Sequence, residues 1–171
     1  MSPVQIGPDP TPWRSLGSTL AGSLTARARG AFASEFALLD RKNGEIGHLE
    51  ILGPAGAELG VGEVEARVER VPPARYRMLS NGAEILTSTG GATSPEIRCL
   101  GRPYTARLSL LRNRARAGPA GDEGVVRIAG GLTNRKYAVY FETGEEGSLP
   151  VALFLLYRIV ALRREAYRAG S

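Results

Sequence analysis

The sequence is short of the side chains that most often carry chemistry: it has a single histidine, His48, and a single cysteine, Cys99. One cysteine excludes an internal disulfide, and one cysteine with one histidine cannot furnish a structural zinc site. A Cys–His catalytic couple would use up both residues, and nothing in their spacing places them together. Aromatics make up only 6% of the chain, too few for the serial stacking platforms of single-stranded nucleic-acid binding. Lys42 and Lys136 are the only lysines among 22 Lys and Arg residues. The opening "MSPVQIGPDPTPWRS" lacks the apolar run of a secretory signal. Together these absences point to a cytoplasmic, non-enzymatic protein with no catalytic residues, metal or cofactor. Attachment to the periphery of a membrane is the alternative location.

What is present favours strands. The chain has 171 residues, 43% of them hydrophobic, with 22 glycines and 11 prolines. That size suits one domain with a substantial core, and scattered Gly and Pro favour many short strands joined by turns. Residues 1–30 read as a flexible Pro-rich arm followed by a lead-in segment, and 31–171 as the folded domain. In the lead-in, Leu16, Leu20 and Leu24 recur at helical spacing, but Gly17 and Gly22 interrupt them. The segment therefore allows two readings, a helix or additional strands.

From Phe32 the pattern is one of hairpins. In "FALLDRKNGEIGHLEI" a two-residue turn at Asn43-Gly44 pairs Phe36 with Ile51 and Leu38 with Leu49, leaving His48 outside, opposite Leu39. "RYRMLSNGAEILTS" repeats the device at Asn81-Gly82, pairing Met78 with Ile85 and Tyr76 with Thr87. "EVEARVER" alternates with Val64, Ala66 and Val68 inward. Further strands are expected at Glu96–Leu100, Tyr104–Leu111, Val125–Ala129 and Asn134–Glu142. The count comes to about ten.

The most apolar stretch comes last. Leu149 to Leu162 is apolar at every position but Arg158, preceded by Ser148 as a helix cap and Pro150 in the first turn. Such a run is too short for a bilayer, which takes about 20 residues, and has no polar stripe for a surface position. A core helix over 148–168 is the expectation. Fourteen helical residues rise about 21 Å, close to the roughly 20 Å of axis that tilted strands of about eight residues cover. The fold expected is mainly β: a closed antiparallel barrel of about 10–12 strands around a buried hydrophobic C-terminal helix.

Hairpins such as "FALLDRKNGEI", a strand such as "NRKYAVYFE" and a terminal hydrophobic helix resemble the tubby C-terminal-like superfamily. That group includes tubby domains, LURP-one-related proteins and phospholipid scramblases, and the likeness spans Phe32 to Tyr167. It implies a twelve-stranded barrel around its last helix. It also implies a lipid-related role, since tubby domains bind phosphoinositides. Movement of lipid, as in scramblases, is the alternative, but it would need the last helix in the bilayer.

Charge distribution gives the candidate site. Between Ile97 and Gly121 lie Arg98, Arg102, Arg107, Arg112, Arg114 and Arg116 without one acid, whereas Glu45 to Glu69 is dominated by glutamate. "RNRARA" sets Arg112, Arg114 and Arg116 on one side of an extended segment, with roughly 6–7 Å between successive heads. The guanidinium fork suits phosphate. Arg107, Arg112, Arg114 and Arg116 are thus candidate anion-binding residues, for an anionic phospholipid surface or an acidic protein; nucleic acid is disfavoured. A solubilising edge strand in an arginine-biased proteome is the competing account. The loop "TSTGGATSPE" offers Gly and hydroxyls as a phosphate cradle would, but runs into a strand rather than a helix and lacks lysine, so it reads as a connection. "ETGEEGS" reads as a solvated turn.

Overall fold

A computed structural model describes residues 8–119 and 124–170. Twelve antiparallel strands form a closed meander in which each strand pairs with its sequence neighbours and the first closes on the last. They are β1 (Ser23–Arg29), β2 (Glu35–Leu39), β3 (Glu45–Ile51), β4 (Gly56–Val61), β5 (Val64–Val71) and β6 (Arg75–Ser80). The second half comprises β7 (Ala83–Gly90), β8 (Pro95–Cys99), β9 (Arg102–Ser109), β10 (Arg114–Gly118), β11 (Val126–Gly130) and β12 (Lys136–Phe141). Two helices, α1 (Thr11–Leu20) and α2 (Ser148–Ala169), flank the strands in sequence.

α2 fills the barrel. Every residue from Ser148 to Ala161 is buried, so all faces of the helix meet protein. Its ring of neighbours is explicit: Phe154 and Tyr157 meet Tyr76 of β6, and the Tyr157 hydroxyl donates to the Gly53 carbonyl beyond β3. The helix also lies against β10, β11 and β12. There the inward Ala115 and Ala117 leave room for it. Each large apolar side chain so enclosed contributes about 1.5–3 kcal/mol, before the entropy of ordering is subtracted.

Closure places the lead-in differently from the sequence reading, and most of the expected Pro-rich arm, residues 1–7, lies outside the described residues. The barrel begins at Ser23, before the boundary drawn at 31, because β1 pairs with both β12 and β2 and seals the sheet. The two readings of the lead-in are each right for one part. α1 occupies Thr11–Leu20, and Ala21 and Gly22, both at positive φ, reverse the chain into β1. A Cβ on Gly22 would lie 2.8 Å from the Phe141 carbonyl oxygen, so only glycine fits this corner. α1 caps the end of the barrel at which α2 begins, burying Trp13 and Leu20.

Hairpin registers differ where bulges intervene. The Asn81-Gly82 turn forms with both residues at positive φ, but a bulge between Met78 and Leu79 pairs Met78 with Leu86 and Tyr76 with Ser88. In the first hairpin Asp40, not Asn43-Gly44, organises the turn. Its Oδ1 accepts from the Lys42 and Gly44 amides, and only Asn43 adopts positive φ. Phe36 therefore faces Leu49 and Leu38 faces Gly47, two residues from the expected register, which preserves the inward face. Ser148 does not cap its helix: it is the first helical residue, and its hydroxyl donates to the Glu142 and Glu145 carbonyls, anchoring α2 to the preceding turn.

Candidate anion-binding wall

β9, β10 and β11 each alternate cleanly. Tyr104, Ala106 and Leu108, then Ala115 and Ala117, then Val126 and Ile128 point inward and are buried. The opposite parity sends Arg107, Arg114, Arg116 and Arg127 to solvent. Register turns this alternation into a site. Arg116 stands directly opposite Arg107 on one side and Arg127 on the other, and Arg127 stands opposite Tyr140. Arg127 lies over the exposed Tyr140 ring at 5.4 Å from its centroid. Residues directly opposed across strands are near neighbours, about 4.5–5.5 Å between Cβ atoms, so three guanidinium stems share one row.

Arg112 joins them from the β9–β10 turn, whose position is fixed. Its amide donates to Ser109 Oγ at 3.2 Å. The adjacent Asn113, buried at positive φ, donates to the Gly131 carbonyl and ties this turn to the β11–β12 turn. A surface hollow of about 530 Å³ is lined by Arg107, Arg112, Arg114, Arg116, Arg127 and Tyr140. All four arginines named from sequence thus share one hollow. Among the described residues no carboxylate lies within 4.0 Å of Arg112, Arg114, Arg116 or Arg127.

Arg127 and Tyr140 lie outside the basic run of the sequence, and the barrel alone brings them in. The same holds for Arg27 and Lys136, which oppose each other where β1 meets β12. β9, β10, β11, β12 and β1 carry basic residues and no acidic one. Parity on the expected strand Val125–Ala129 was the available signal, since Arg127 alternates with Val126 and Ile128. The other arginines of the basic stretch go elsewhere: Arg102 pairs with Glu145 at 3.2 Å, and Arg98 on β8 faces Thr87 and Pro103.

Of the remaining residues singled out from sequence, Cys99 and Tyr104 belong to the core. Cys99 is fully buried, and desolvation pushes its thiol up to about 12, so the thiolate needed for nucleophilic attack is suppressed. His48 is exposed opposite Ala37 and Gly60, not Leu39, with its ring over Gly60. Tyr104, the aromatic nearest the basic run in sequence, points into the core, where burial raises its phenol, and meets Glu145. Glu146 of the acidic turn pairs with Arg14 of α1. Among the described residues, no group of three or more His, Cys, Asp or Glu side chains could hold a metal ion. Among the described residues no helix is long and apolar enough to cross a membrane. The chain matches no protein-family model, no curated protein and no solved structure.

Proposed function

We propose that this protein is a non-enzymatic binding module whose arginine wall engages the phosphates of anionic phospholipid headgroups at a membrane surface. The observation that carries the reading is the Arg107–Arg116–Arg127 row, like charges directly opposed across three neighbouring strands. Such opposition is destabilising in the isolated fold, and a surface of phosphates offsets it while offering the planar acceptors that Arg prefers. The resemblance to tubby-like domains belongs to this proposal, and the twelve-strand count and enclosed terminal helix support it.

A bilayer is favoured over an acidic protein by the end of the barrel where α2 emerges. There the tips of the β1–β2, β9–β10 and β11–β12 turns carry Phe32, Leu111 and Leu132, exposed by 84%, 95% and 95%. These are the turns of the basic sector itself. Arg163 of α2 knits two of them together through the Leu110 and Leu132 carbonyls and the Asn134 side chain. Apolar tips beside cationic walls suit a surface with an anionic layer over an apolar one.

Sedimentation with phosphatidylserine-containing vesicles tests the reading, with phosphatidylcholine vesicles as the neutral arm. Each Arg near an anionic surface is worth about 1 kcal/mol, so Arg112→Ala/Arg114→Ala/Arg116→Ala weakens binding roughly 100-fold. Equal binding to both vesicle types, or no change in the triple variant, contradicts it. A second reading, single-stranded nucleic acid, draws on one observation: the exposed Tyr140 ring inside the arginine hollow. A single ring stacks one base, worth about 1–3 kcal/mol. Oligonucleotide retention lost in Tyr140→Ala, with no vesicle binding, replaces the first reading with the second.

A further inference from the structure

Arg158 is the one charged residue within the enclosed part of α2, and far less of it reaches the solvent than a long side chain at a barrel mouth ordinarily shows. It is only 8% exposed. Its guanidinium sits 4.2 Å from the Tyr76 ring centroid and 5.7 Å from that of Tyr157. Among the described residues no carboxylate lies within 4.0 Å of it, and the Tyr157 hydroxyl is its polar neighbour. Arginine has five donors and cannot shed its charge. An unpaired buried charge is costly, and aromatic faces offset part of that cost without accepting its hydrogen bonds in the guanidinium plane.

Arg158 borders a cavity of about 220 Å³ at the end of the barrel where α2 emerges, lined also by Arg70, Ser88, Gly90, Gly91 and Glu165. Ser88 lies on the inward face of β7, 4% exposed, and its hydroxyl makes no hydrogen bond to another described residue. Gly90 and Gly91 belong to the hydroxyl- and glycine-rich loop that resembled a phosphate cradle in sequence, and they put no side chain into the space. Arg70 adds a second cation at the rim, where its Nη2 donates to the Pro73 carbonyl at 2.9 Å. Glu165, exposed on the last turns of α2, is the internal competitor.

We propose that this mouth cavity is a second, separate site that binds the phosphate group of a small ligand, with Arg158 as its buried fork, Ser88 as a hydroxyl donor and Arg70 as the rim cation. Two arginines against one rim carboxylate leave one net positive charge for an anion to neutralise. The hydroxyl completes the set of donors that a tetrahedral oxyanion accepts. Neither the outer wall nor any membrane enters the proposal, so it stands or falls independently of the function proposed above.

The test uses the full chain, titrated with inorganic phosphate in one arm and glycerol phosphate in the other. Resonances of the Gly90 and Gly91 amides and of Arg158 Nε–H are followed by NMR. Saturable shifts at these groups are expected. Arg158→Lys weakens binding about tenfold or more, as loss of a charged hydrogen-bonded fork requires, and Ser88→Ala weakens it about 2–10-fold. Glu165→Gln strengthens it about 2–5-fold. Arg112→Ala/Arg114→Ala/Arg116→Ala leaves the mouth affinity unchanged, which separates this site from the wall. Tighter binding of glycerol phosphate assigns a phosphate ester, and tighter binding of inorganic phosphate assigns the free ion. Shifts that stay linear with concentration, or saturation indifferent to Arg158→Lys, overturn the proposal. Should Arg158→Lys fail to fold, Ser88→Ala and Glu165→Gln carry the same test: unchanged affinity in both overturns it.

Discussion

Across β4–β5 and β5–β6 two outward charge pairs meet their opposites, while across β9–β10 and β10–β11 arginine meets arginine. Glu58 faces Arg67 across β4 and β5, 3.1 Å apart, and Glu69 faces Arg77 across β5 and β6, at 2.7 Å. Half a barrel away, Arg116 faces Arg107 and Arg127. Strand geometry and solvent are the same, so the contrast isolates the charges. Opposite charges across a strand pair contribute about 0.2–1 kcal/mol and like charges cost a similar amount. The Glu58–Arg67 and Glu69–Arg77 pairs have the pattern that stability alone produces, and the arginine row gives up some stability. That difference is what makes the basic wall a candidate site rather than merely a polar surface.

Charge reversal in the middle of the row has the largest expected effect. Arg116→Glu places an acid between Arg107 and Arg127, so stability rises by up to about 1–2 kcal/mol. Affinity for anionic vesicles falls roughly 30-fold, since a unit of attraction is lost and one of repulsion gained. Denaturant titration and vesicle sedimentation must move in opposite directions. Across β4–β5, Arg67→Glu leaves Glu58 facing another acid and lowers stability by about 1 kcal/mol. Salt has the smallest effect. Raising ionic strength from about 0.1 to 1 M shortens the screening length from about 10 to 3 Å. The wild type then gains a few tenths of a kcal/mol, and Arg116→Glu, whose row is already neutralised, gains less.

The local parts of this comparison were legible in sequence, and the parts made by register were not. Val64, Ala66 and Val68 alternate because one face of β5 is buried, and the enclosed helix announced itself by lacking a polar stripe. β4 did not show, because "GAELGV" is buried at all but one position and carries two glycines, so no alternation marks it. β1 was obscured by Leu24, which falls in helical phase with Leu16 and Leu20 although it lies beyond the Ala21-Gly22 reversal. Bulges at Leu38/Leu39 and Met78/Leu79 shifted pairings that the turns alone would have set otherwise. For the site, Arg107, Arg112, Arg114 and Arg116 lie within one short basic run, visible by inspection. Arg127 and Tyr140 come from strands joined to it only by pairing, and the run of five neighbouring strands from β9 around to β1 without an acidic residue exists only once the barrel closes.

The central claim is that arrangement, not total charge, makes the basic wall bind. Arg116→Glu and Arg67→Glu each lower the formal net charge of +5 by the same two units, on opposite walls. Sedimentation of both variants with the same phosphatidylserine vesicles at about 0.1 M salt therefore separates the two explanations. The account predicts that Arg67→Glu binds within about twofold of wild type while Arg116→Glu loses roughly 30-fold. Equal losses in the two variants would contradict it.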